Sequence, residues 1–339
     1  MREFPAATSP HLPPRASVPA LMYRVLAALV PGAALATWQF GWGVPVQILL
    51  AALLAVTAEA AMVVLRRRPV GRALADGSVL VTATLLALAL PPYVPWWLTT
   101  VAVLAAVVLG KHLYGGLGFN PFNPAMVGYV VVLIAFPREL THWPAPAALA
   151  AGPDLATTLA VVFGGGTLPD ALTAATPLDH VRTGLSMNRT LAELWAEPVM
   201  GRLAGTGWEW VALGYLAGGL WLVWRRVADW RIPLGFAAGL GLPALLAWGL
   251  DPDVHPSPLF HLLSGGAMLG AFFIATDPVT ASTTPRGRLI FGAGAGLVTF
   301  LVRGFGGYPD GVAFGVLLMN MAAPTLDQLT RPRVFGERR

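Results

Sequence analysis

Residues 44–65 read VPVQILLAALLAVTAEAAMVVL, a run of 22 residues in which only Gln47, Thr57 and Glu59 carry polar side chains. An α-helix that crosses the hydrocarbon core of a bilayer needs about 20 predominantly apolar residues. This stretch therefore predicts a membrane-spanning helix. Its one acidic residue, Glu59, would lie well inside the span, where an ionised carboxylate is costly and often functional.

The whole chain shares this character. Of its 339 residues, 56% are hydrophobic and 12% are charged, and the mean hydropathy is +0.65, whereas soluble domains carry about 25% charged residues. The net charge of +5 comes from short basic clusters between apolar runs, a pattern that encodes membrane topology and not nucleic-acid binding. The chain has no cysteine, so it supplies neither an iron–sulfur cluster nor a disulfide. We therefore predict an all-α polytopic membrane protein.

Ten apolar segments predict about ten transmembrane helices. The predicted spans are residues 21–40, 44–65, 77–91, 95–110, 121–137, 208–225, 231–250, 258–276, 288–303 and 309–325. The third, fifth and tenth are short or interrupted by Gly, Pro and Asn, so we expect broken or partial helices there. Residues 1–20 are Pro-rich and lack the apolar core of a cleaved signal peptide.

The basic residues orient these spans. If the N-terminus is cytoplasmic, 17 of the 22 Lys and Arg fall in cytoplasmic segments, as the positive-inside rule requires. We therefore expect both termini inside. The predicted sections are a cytoplasmic segment 1–20, a first five-helix membrane unit 21–137, an extracytoplasmic loop 138–207, a second five-helix unit 208–325 and a basic cytoplasmic tail 326–339.

The two membrane units share weak sequence similarity. Span five follows GGLG at 115–118 and span ten follows GGYP at 306–309, while the start of span three at Asp76-Gly77-Ser78 matches Ser264-Gly265-Gly266 in span eight. Five crossings is an odd number, so the units must have opposite orientations, as in the inverted repeats of transporters. The alternative explanation is that small residues recur in any packed membrane bundle.

The long loop contains Asp170-Ala171-Leu172-Thr173-Ala174-Ala175-Thr176. This stretch resembles the flavinylation motif of the Rnf and Nqr redox complexes, in which an Asp precedes Ser/Thr-Gly-Ala-Thr. The resemblance implies that Thr176 carries FMN through a phosphodiester and that a separate flavin transferase recognises Asp170 and Thr173. The usual glycine of the motif is Ala174 here.

Further segments carry the resemblance over most of the chain: Ser9-Pro10-His11, Asp76-Gly77-Ser78, GFNPFNPAM at 118–126 and FFIATDPVT at 272–280. The chain resembles the NqrB/RnfD family, and its short N-terminal segment favours the RnfD branch. The alternative is NqrB, from the Na⁺-translocating NADH:quinone reductase.

The resemblance implies a flavin-carrying electron relay in the Rnf complex, which couples ferredoxin/NAD redox chemistry to Na⁺ or H⁺ translocation in the bacterial inner membrane. The implied partners are RnfA, RnfB, RnfC, RnfE and RnfG, with RnfG the electron partner. A second, noncovalent riboflavin is implied as well.

Several residues have two explanations. The turns Asn120–Met126 and Thr276–Pro278 either form a flavin pocket or ion path, or serve packing alone. Glu59 either belongs to an ion path or pairs with the Arg66–Arg68 cluster. His180 either contacts the flavin phosphate or is a solvated loop residue. The six histidines lack metal-ligand spacing, so no metal site is predicted, and the tryptophans at span ends, including Trp208 and Trp210, are interpreted as interfacial anchors.

Two other function classes compete with a redox subunit. A solute transporter also uses inverted repeats with broken helices, and it predicts a colourless protein without flavin. A structural scaffold for redox partners predicts that replacing Thr176 leaves electron transfer by the complex intact.

Overall fold

The computed structural model describes residues 17–166, 168–308 and 310–332. Within these ranges the chain is helical apart from one antiparallel pair of two-residue strands, β1 (Trp143–Pro144) and β2 (Thr173–Ala174). The predicted all-α class is confirmed. Residues 1–16 and 333–339, which belong to the predicted cytoplasmic ends, lie outside the described residues.

Each of the ten predicted spans corresponds to helical structure. The first unit contains α1 (Val18–Phe40), α2 (Gly43–Leu65), the short α3 (Val70–Ala75), α4 (Ser78–Ala89), α5 (Trp96–Leu104) with a π-helical continuation (Ala105–His112), and α6 (Pro124–Ala135). The loop contains α7 (Pro137–Thr141), α8 (Leu155–Gly164), a 3₁₀ turn (Asp170–Leu172), α9 (Pro177–Ser186) and α10 (Leu191–Trp195). The second unit contains α11 (Trp208–Trp224), α12 (Arg231–Leu250), α13 (Pro258–Leu263), α14 (Ala267–Leu269) with a π-helical continuation (Gly270–Ile274), α15 (Pro285–Phe305) and α16 (Val312–Leu329).

The spans differ in length. Among the described residues, α1, α2, α12, α15 and α16 are long and apolar enough to cross a membrane. The third and fifth spans are short as predicted, with 12 residues each in α4 and α6. The prediction of an interrupted tenth span is wrong, because α16 runs unbroken over 18 residues: Gly311 precedes its first turn and Pro324 lies inside it. The eighth span is broken instead, between Leu263 at the end of α13 and Ala267 at the start of α14.

α2 shows how composition determines packing in this bundle. Its small residues Ala51 and Ala55 face neighbouring helices and are at most 1% exposed, whereas Leu49 and Leu53 are 70% and 65% exposed. Lipid tails are as apolar as leucine, so nothing drives the leucines inward, while small residues let helix backbones approach closely. The exposed leucines therefore form the lipid-facing surface of α2.

The first helices of the two units, α1 and α11, pack against each other in opposite directions. Phe40 at the end of α1 stacks on Trp208 at the start of α11, with ring centroids 4.8 Å apart. Further along, a Cβ at Gly218 would collide with the carbonyl oxygen of Ala28. Contacts therefore run from 40 with 208 to 28 with 218, an antiparallel pairing that agrees with the predicted inverted repeat.

At Gly218 the backbones of α1 and α11 leave no room for a side chain, which gives a stability prediction. We expect Gly218→Ala to destabilise the protein by about 1–3 kcal/mol, since the methyl group forces two helix backbones apart. Thermal unfolding in detergent measures the effect. The matched change Gly241→Ala, in α12 where no described atom lies within 4 Å of the new methyl group, should be neutral or slightly stabilising because alanine favours helix. Equal losses in both variants would contradict this packing.

The loop between the units closes one end of the bundle. The Ala147 N–H donates to the carbonyl of Gln39 at the end of α1, and the Leu191 N–H donates to the carbonyl of Asp253 between α12 and α13, each at 2.8 Å. Both membrane units thus hold the loop in place. The residues of the flavinylation-like motif are thereby fixed against the ends of the membrane helices.

Candidate functional site

Thr176 is the N-cap residue of α9. Its Oγ1 accepts a hydrogen bond from the Asp179 N–H at 3.2 Å, and Pro177 occupies the first helical position, where a missing N–H costs nothing. The side chain is half-buried, at the boundary between the loop surface and a cavity below it. A group attached to Oγ1 would therefore meet the positive end of the α9 dipole on one side.

Asp170 and Thr173 lie upstream, on the backbone that leads to Thr176. Asp170 is exposed and begins the 3₁₀ turn, and the Thr173 hydroxyl donates to the Asp170 carbonyl at 2.9 Å. Strand β2 pairs Thr173 with Pro144 and Ala174 with Trp143. Ala174 is thus in extended conformation, which alanine adopts as readily as glycine. The replacement of the motif's usual glycine leaves this backbone unstrained.

A charged cluster fastens α9 to the rest of the loop. Arg189 Nη2 donates to Glu197 Oε1 at 2.5 Å, and His180 Nε2 lies 3.3 Å from Glu197 Oε2. His180 therefore faces this carboxylate and is neither a free loop side chain nor placed on Thr176. The hydrogen bond from Arg189, followed by the charge of His180, holds the pKa of Glu197 below its ordinary value.

This shifted carboxyl predicts a pH dependence. A lowered pKa in the folded chain means that the contact stabilises above the ordinary pKa of glutamate and is lost as the pH falls through the folded value. We expect amide protection in α9 to decrease below about pH 4, as measured by hydrogen exchange corrected for its intrinsic rate. Arg189→Gln should remove this decrease, and an unchanged pH profile in that variant would contradict the assignment.

Below Thr176 lies a cavity of about 240 Å³, here called the Thr176 cavity. Its wall comes from both membrane units and is mostly apolar and aromatic, with Phe40, Met126, Tyr129, Trp208, Tyr215 and Tyr308 among the lining residues. Ligand sites of repeat-built membrane proteins lie at such repeat interfaces. The cavity could hold a flat, largely apolar ring system.

The polar side of the Thr176 cavity is built around Asp310. Its Oδ2 accepts from the Gly266 N–H at 2.8 Å, and its Oδ1 lies 3.1 Å from the Arg303 guanidinium. Gly265, at φ +60°, lies against this carboxylate, and a Cβ there would lie 2.5 Å from Asp310 Oδ2 and 2.7 Å from Leu178 Cδ1. A side chain at Gly265 would therefore intrude between the cavity's acid and the helix that follows Thr176.

Sequence reasoning missed most of this wall. Asp310, Gly265, Tyr129 and Tyr215 are far apart in the chain, and only the helix packing brings them together. The interpretation of Trp208 as an interfacial anchor is wrong. It is 9% exposed and packs on Trp143 and Phe40 at 4.8 Å, while Trp210 is 51% exposed. Trp208 is the first residue of α11, so it points into the bundle beneath the loop.

A second cavity of about 140 Å³, here called the Lys111 cavity, lies toward the other end of α1. Met22 lines it and Phe40 lines the Thr176 cavity; along a helix those 18 residues span roughly 27 Å. The two turns Asn120–Met126 and Thr276–Pro278 meet at this cavity. Its lining includes Asn120, Asn123, Thr276 and Asp277.

Asparagines of this wall connect the two units. The Asn123 N–H donates to Asn320 Oδ1 at 3.0 Å, and the Asn123 side chain caps α6 at Met126. Asn120 Nδ2 donates to the Phe122 carbonyl at 3.0 Å. Among the described residues, the buried Oδ1 of Asn120 has no hydrogen-bond donor. It is an acceptor available to a ligand with an N–H or O–H group.

Glu59 is paired, but not with the arginines suggested by the sequence. Its Oε1 accepts from Lys111 Nζ at 2.8 Å, and His112 Nε2 lies 3.0 Å from its Oε2, while Arg66 instead donates to the His112 carbonyl. Lys111 also donates to Ser78 Oγ at 3.0 Å. The predicted fourth span ends at residue 110, whereas the π-helical continuation of α5 runs to His112 and keeps Lys111 inside the bundle at 2% exposure.

Comparison with known proteins agrees with this architecture. A sequence model of the NQR2, RnfD, RnfE family matches residues 6–336. A Pseudomonas aeruginosa protein, named as the D subunit of an ion-translocating oxidoreductase complex, is 55% identical over 338 residues, covering 99% of this chain and 97% of that protein. An Escherichia fergusonii protein of the same name is 49% identical over 349 residues, with 99% of each chain covered. The chain belongs to the NQR2, RnfD, RnfE family.

Proposed function

We propose that this chain is the flavin-carrying D subunit of an Rnf-type ion-translocating oxidoreductase complex, with FMN joined to Thr176 through a phosphodiester. The observation that carries the proposal is the position of Thr176. Its hydroxyl lies at a helix N-terminus and also on the wall of an apolar, aromatic cavity between the two membrane units. The helix N-terminus suits a flavin phosphate, and the apolar, aromatic cavity suits the flavin ring.

The phosphate environment comes from α9. The N-terminus of a helix presents unpaired N–H groups and a partial positive charge, which together favour a phosphodiester. Pro177 has no N–H and the Asp179 N–H bonds Thr176 Oγ1, so in the first turn of α9 the Leu178 N–H, which has no acceptor among the described residues, can donate to a phosphate oxygen. No thiol or shifted pKa is required of the threonine, because the flavin transferase would perform the chemistry.

The ring environment comes from the Thr176 cavity. Its aromatic wall offers stacking surfaces to a flat ring, and Gly265 leaves room beside Asp310. Bound there, FMN supplies one- and two-electron redox chemistry. The chain's residues hold the ring between the membrane units, exclude water from it and set the charge around it. The ester tether keeps the cofactor in place without a dissociation equilibrium.

We assign the implied noncovalent riboflavin to the Lys111 cavity. The cavity joins both polar turns, and the buried Asn120 Oδ1 matches a ring N–H or ribityl hydroxyl as donor. The two cavities lie toward opposite ends of α1, so two flavins would form a relay along the bundle. This arrangement supports electron passage across the chain, with RnfG as the electron partner at the Thr176 end.

The complex supplies the remaining parts. The relatives' names describe one subunit of an ion-translocating oxidoreductase complex, and we propose the partners RnfA, RnfB, RnfC, RnfE and RnfG. The basic residues favour the bacterial inner membrane with both termini cytoplasmic, which puts the Thr176 loop on the periplasmic side.

Electron transfer through the assembled complex tests this function. In membrane vesicles, the wild-type complex should pass electrons between ferredoxin and NAD, and Thr176→Val should lose most of that activity while the complex remains assembled. Unchanged electron transfer in an assembled variant would favour the scaffold, and a colourless wild-type protein would favour the transporter. Either outcome would contradict the relay.

A further inference from the structure

Each cavity has an ion pair at its wall with a buried cation, and the two pairs occupy matching places in the two units. In the first unit, Lys111 near the end of the fourth span binds Glu59 and the hydroxyl of Ser78 at the start of the third. In the second, Arg303 near the end of the ninth span binds Asp310 and the carbonyl of Ser264 in the eighth. The inverted repeat therefore places one buried cation near each cavity.

The two pairs face their cavities with opposite charges. Lys111 lines the Lys111 cavity, and Glu59 lies behind it. Asp310 lines the Thr176 cavity, and Arg303 lies behind it. The other charged lining residues are Asp277 in the Lys111 cavity and Asp179 in the Thr176 cavity. One wall thus carries a cation and an acid, and the other carries two acids and no cation.

These charges act in a medium where they are poorly screened. The Lys111 and Arg303 side chains are each 2% exposed and the Asp310 side chain is 22% exposed, and electrostatic interactions in such surroundings are stronger than in water. A flavin gains negative charge when it is reduced. A cation at the wall stabilises the reduced form and an acid destabilises it, so the wall charge moves the reduction potential.

We propose that Lys111 raises the reduction potential of the flavin in the Lys111 cavity and that Asp310 lowers the potential of the flavin tethered at Thr176. This charge difference favours the Lys111 cavity for an electron shared between the two flavins. This inference rests on the proposed function, because it needs a flavin in each cavity. Lys111 and Asp310, one from each unit, would thus set a difference in reduction potential between the two flavins.

Anaerobic redox titration of the purified complex tests the proposal with Lys111→Gln and Asp310→Asn. Both replacements keep hydrogen-bonding atoms where the charged groups were. Lys111→Gln should lower the reduction potential of the noncovalent flavin, the one that denaturation extracts, by about 59 mV. This shift is about a tenfold change in the one-electron equilibrium constant. Asp310→Asn should raise the potential of the covalently bound flavin by a similar amount, since Arg303 cannot lose its charge. Each variant should leave the other flavin's potential unchanged.

Two control variants separate charge from structure. Lys111→Arg keeps the cation and should restore the wild-type potential, and Arg286→Gln removes an exposed charge that lines neither cavity and should change neither potential. If Lys111→Gln prevents assembly, Ser78→Ala loosens the lysine's hold on the wall and should lower the same potential by less. Unshifted potentials, or shifts of equal sign in Lys111→Gln and Asp310→Asn, would overturn the proposal. A wild-type complex lacking either flavin would instead contradict the proposed function.

Discussion

Replacing Thr176 with valine should abolish flavin fluorescence of the denatured chain in a gel, after co-expression with a flavin transferase. Valine has nearly the shape of threonine but lacks the hydroxyl that forms the ester. The loss should be complete rather than partial, because the ester has a single oxygen of attachment. Ultraviolet illumination of the denatured chain measures it, since a noncovalent flavin is released before the gel is read.

Thr190→Val is the matched control for this change. Thr190 is also an N-cap threonine in the same loop, and its Oγ1 accepts from the Glu193 N–H at 3.4 Å, much as Thr176 accepts from Asp179 at 3.2 Å. Each valine should cost about 1 kcal/mol through the lost cap. The control should stay fluorescent. Fluorescence retained in Thr176→Val, or lost equally in both variants, would contradict Thr176 as the attachment site.

The second large effect is expected at Gly265. We predict that Gly265→Ala lowers electron transfer by about tenfold to a hundredfold while flavin remains attached to Thr176, since a misplacement of about 1 Å can cost this much. The new methyl group would press against Asp310 and Leu178 on the cavity wall. Electron transfer by the complex, normalised to covalent flavin, measures the effect.

Gly165→Ala separates cavity obstruction from backbone strain. Gly165 has φ +73°, and no described atom lies within 4 Å of a new Cβ there. Gly265 has φ +60°, and a new Cβ there would press against Asp310 and Leu178. Both alanines pay the cost of a left-handed backbone, about 1–2 kcal/mol. Only Gly265→Ala should impair electron transfer. Equal impairment in the two variants would mean that strain, and not the cavity, is responsible.

The sequence predicts the membrane class and eight of the ten spans in kind because these depend on local composition, while the eighth and tenth spans differ from the prediction. The apolar run at 44–65 and the short fourth helix at Ser78–Ala89 are decided by residues that are neighbours in the chain. The tenth span shows the limit. Gly311, Asn320 and Pro324 suggest an interruption, yet Gly311 precedes Val312, where the helix begins, and Asn320 and Pro324 lie within a continuous helix.

The candidate site also has one part that the sequence predicts and one part that it does not. Thr176 is recognisable because its motif is contiguous, whereas the cavity wall combines residues as distant as Phe40 and Asp310, which only the antiparallel packing of the two units brings together. Glu59 stood out as a buried acid, but its partner could not be chosen from sequence. Arg66 is nearer along the helix, and the π-helical continuation of α5 brings Lys111 to the carboxylate instead.

The mass of one tryptic peptide shows whether Thr176 carries a covalent flavin. Trypsin should release residues 139–182, which contain Thr176 and have no Lys or Arg before Arg182. From protein co-expressed with a flavin transferase, this peptide should be heavier by the mass of FMN less one water, with fragmentation placing the addition on Thr176. An unmodified peptide, or an addition on Thr173, would contradict the account.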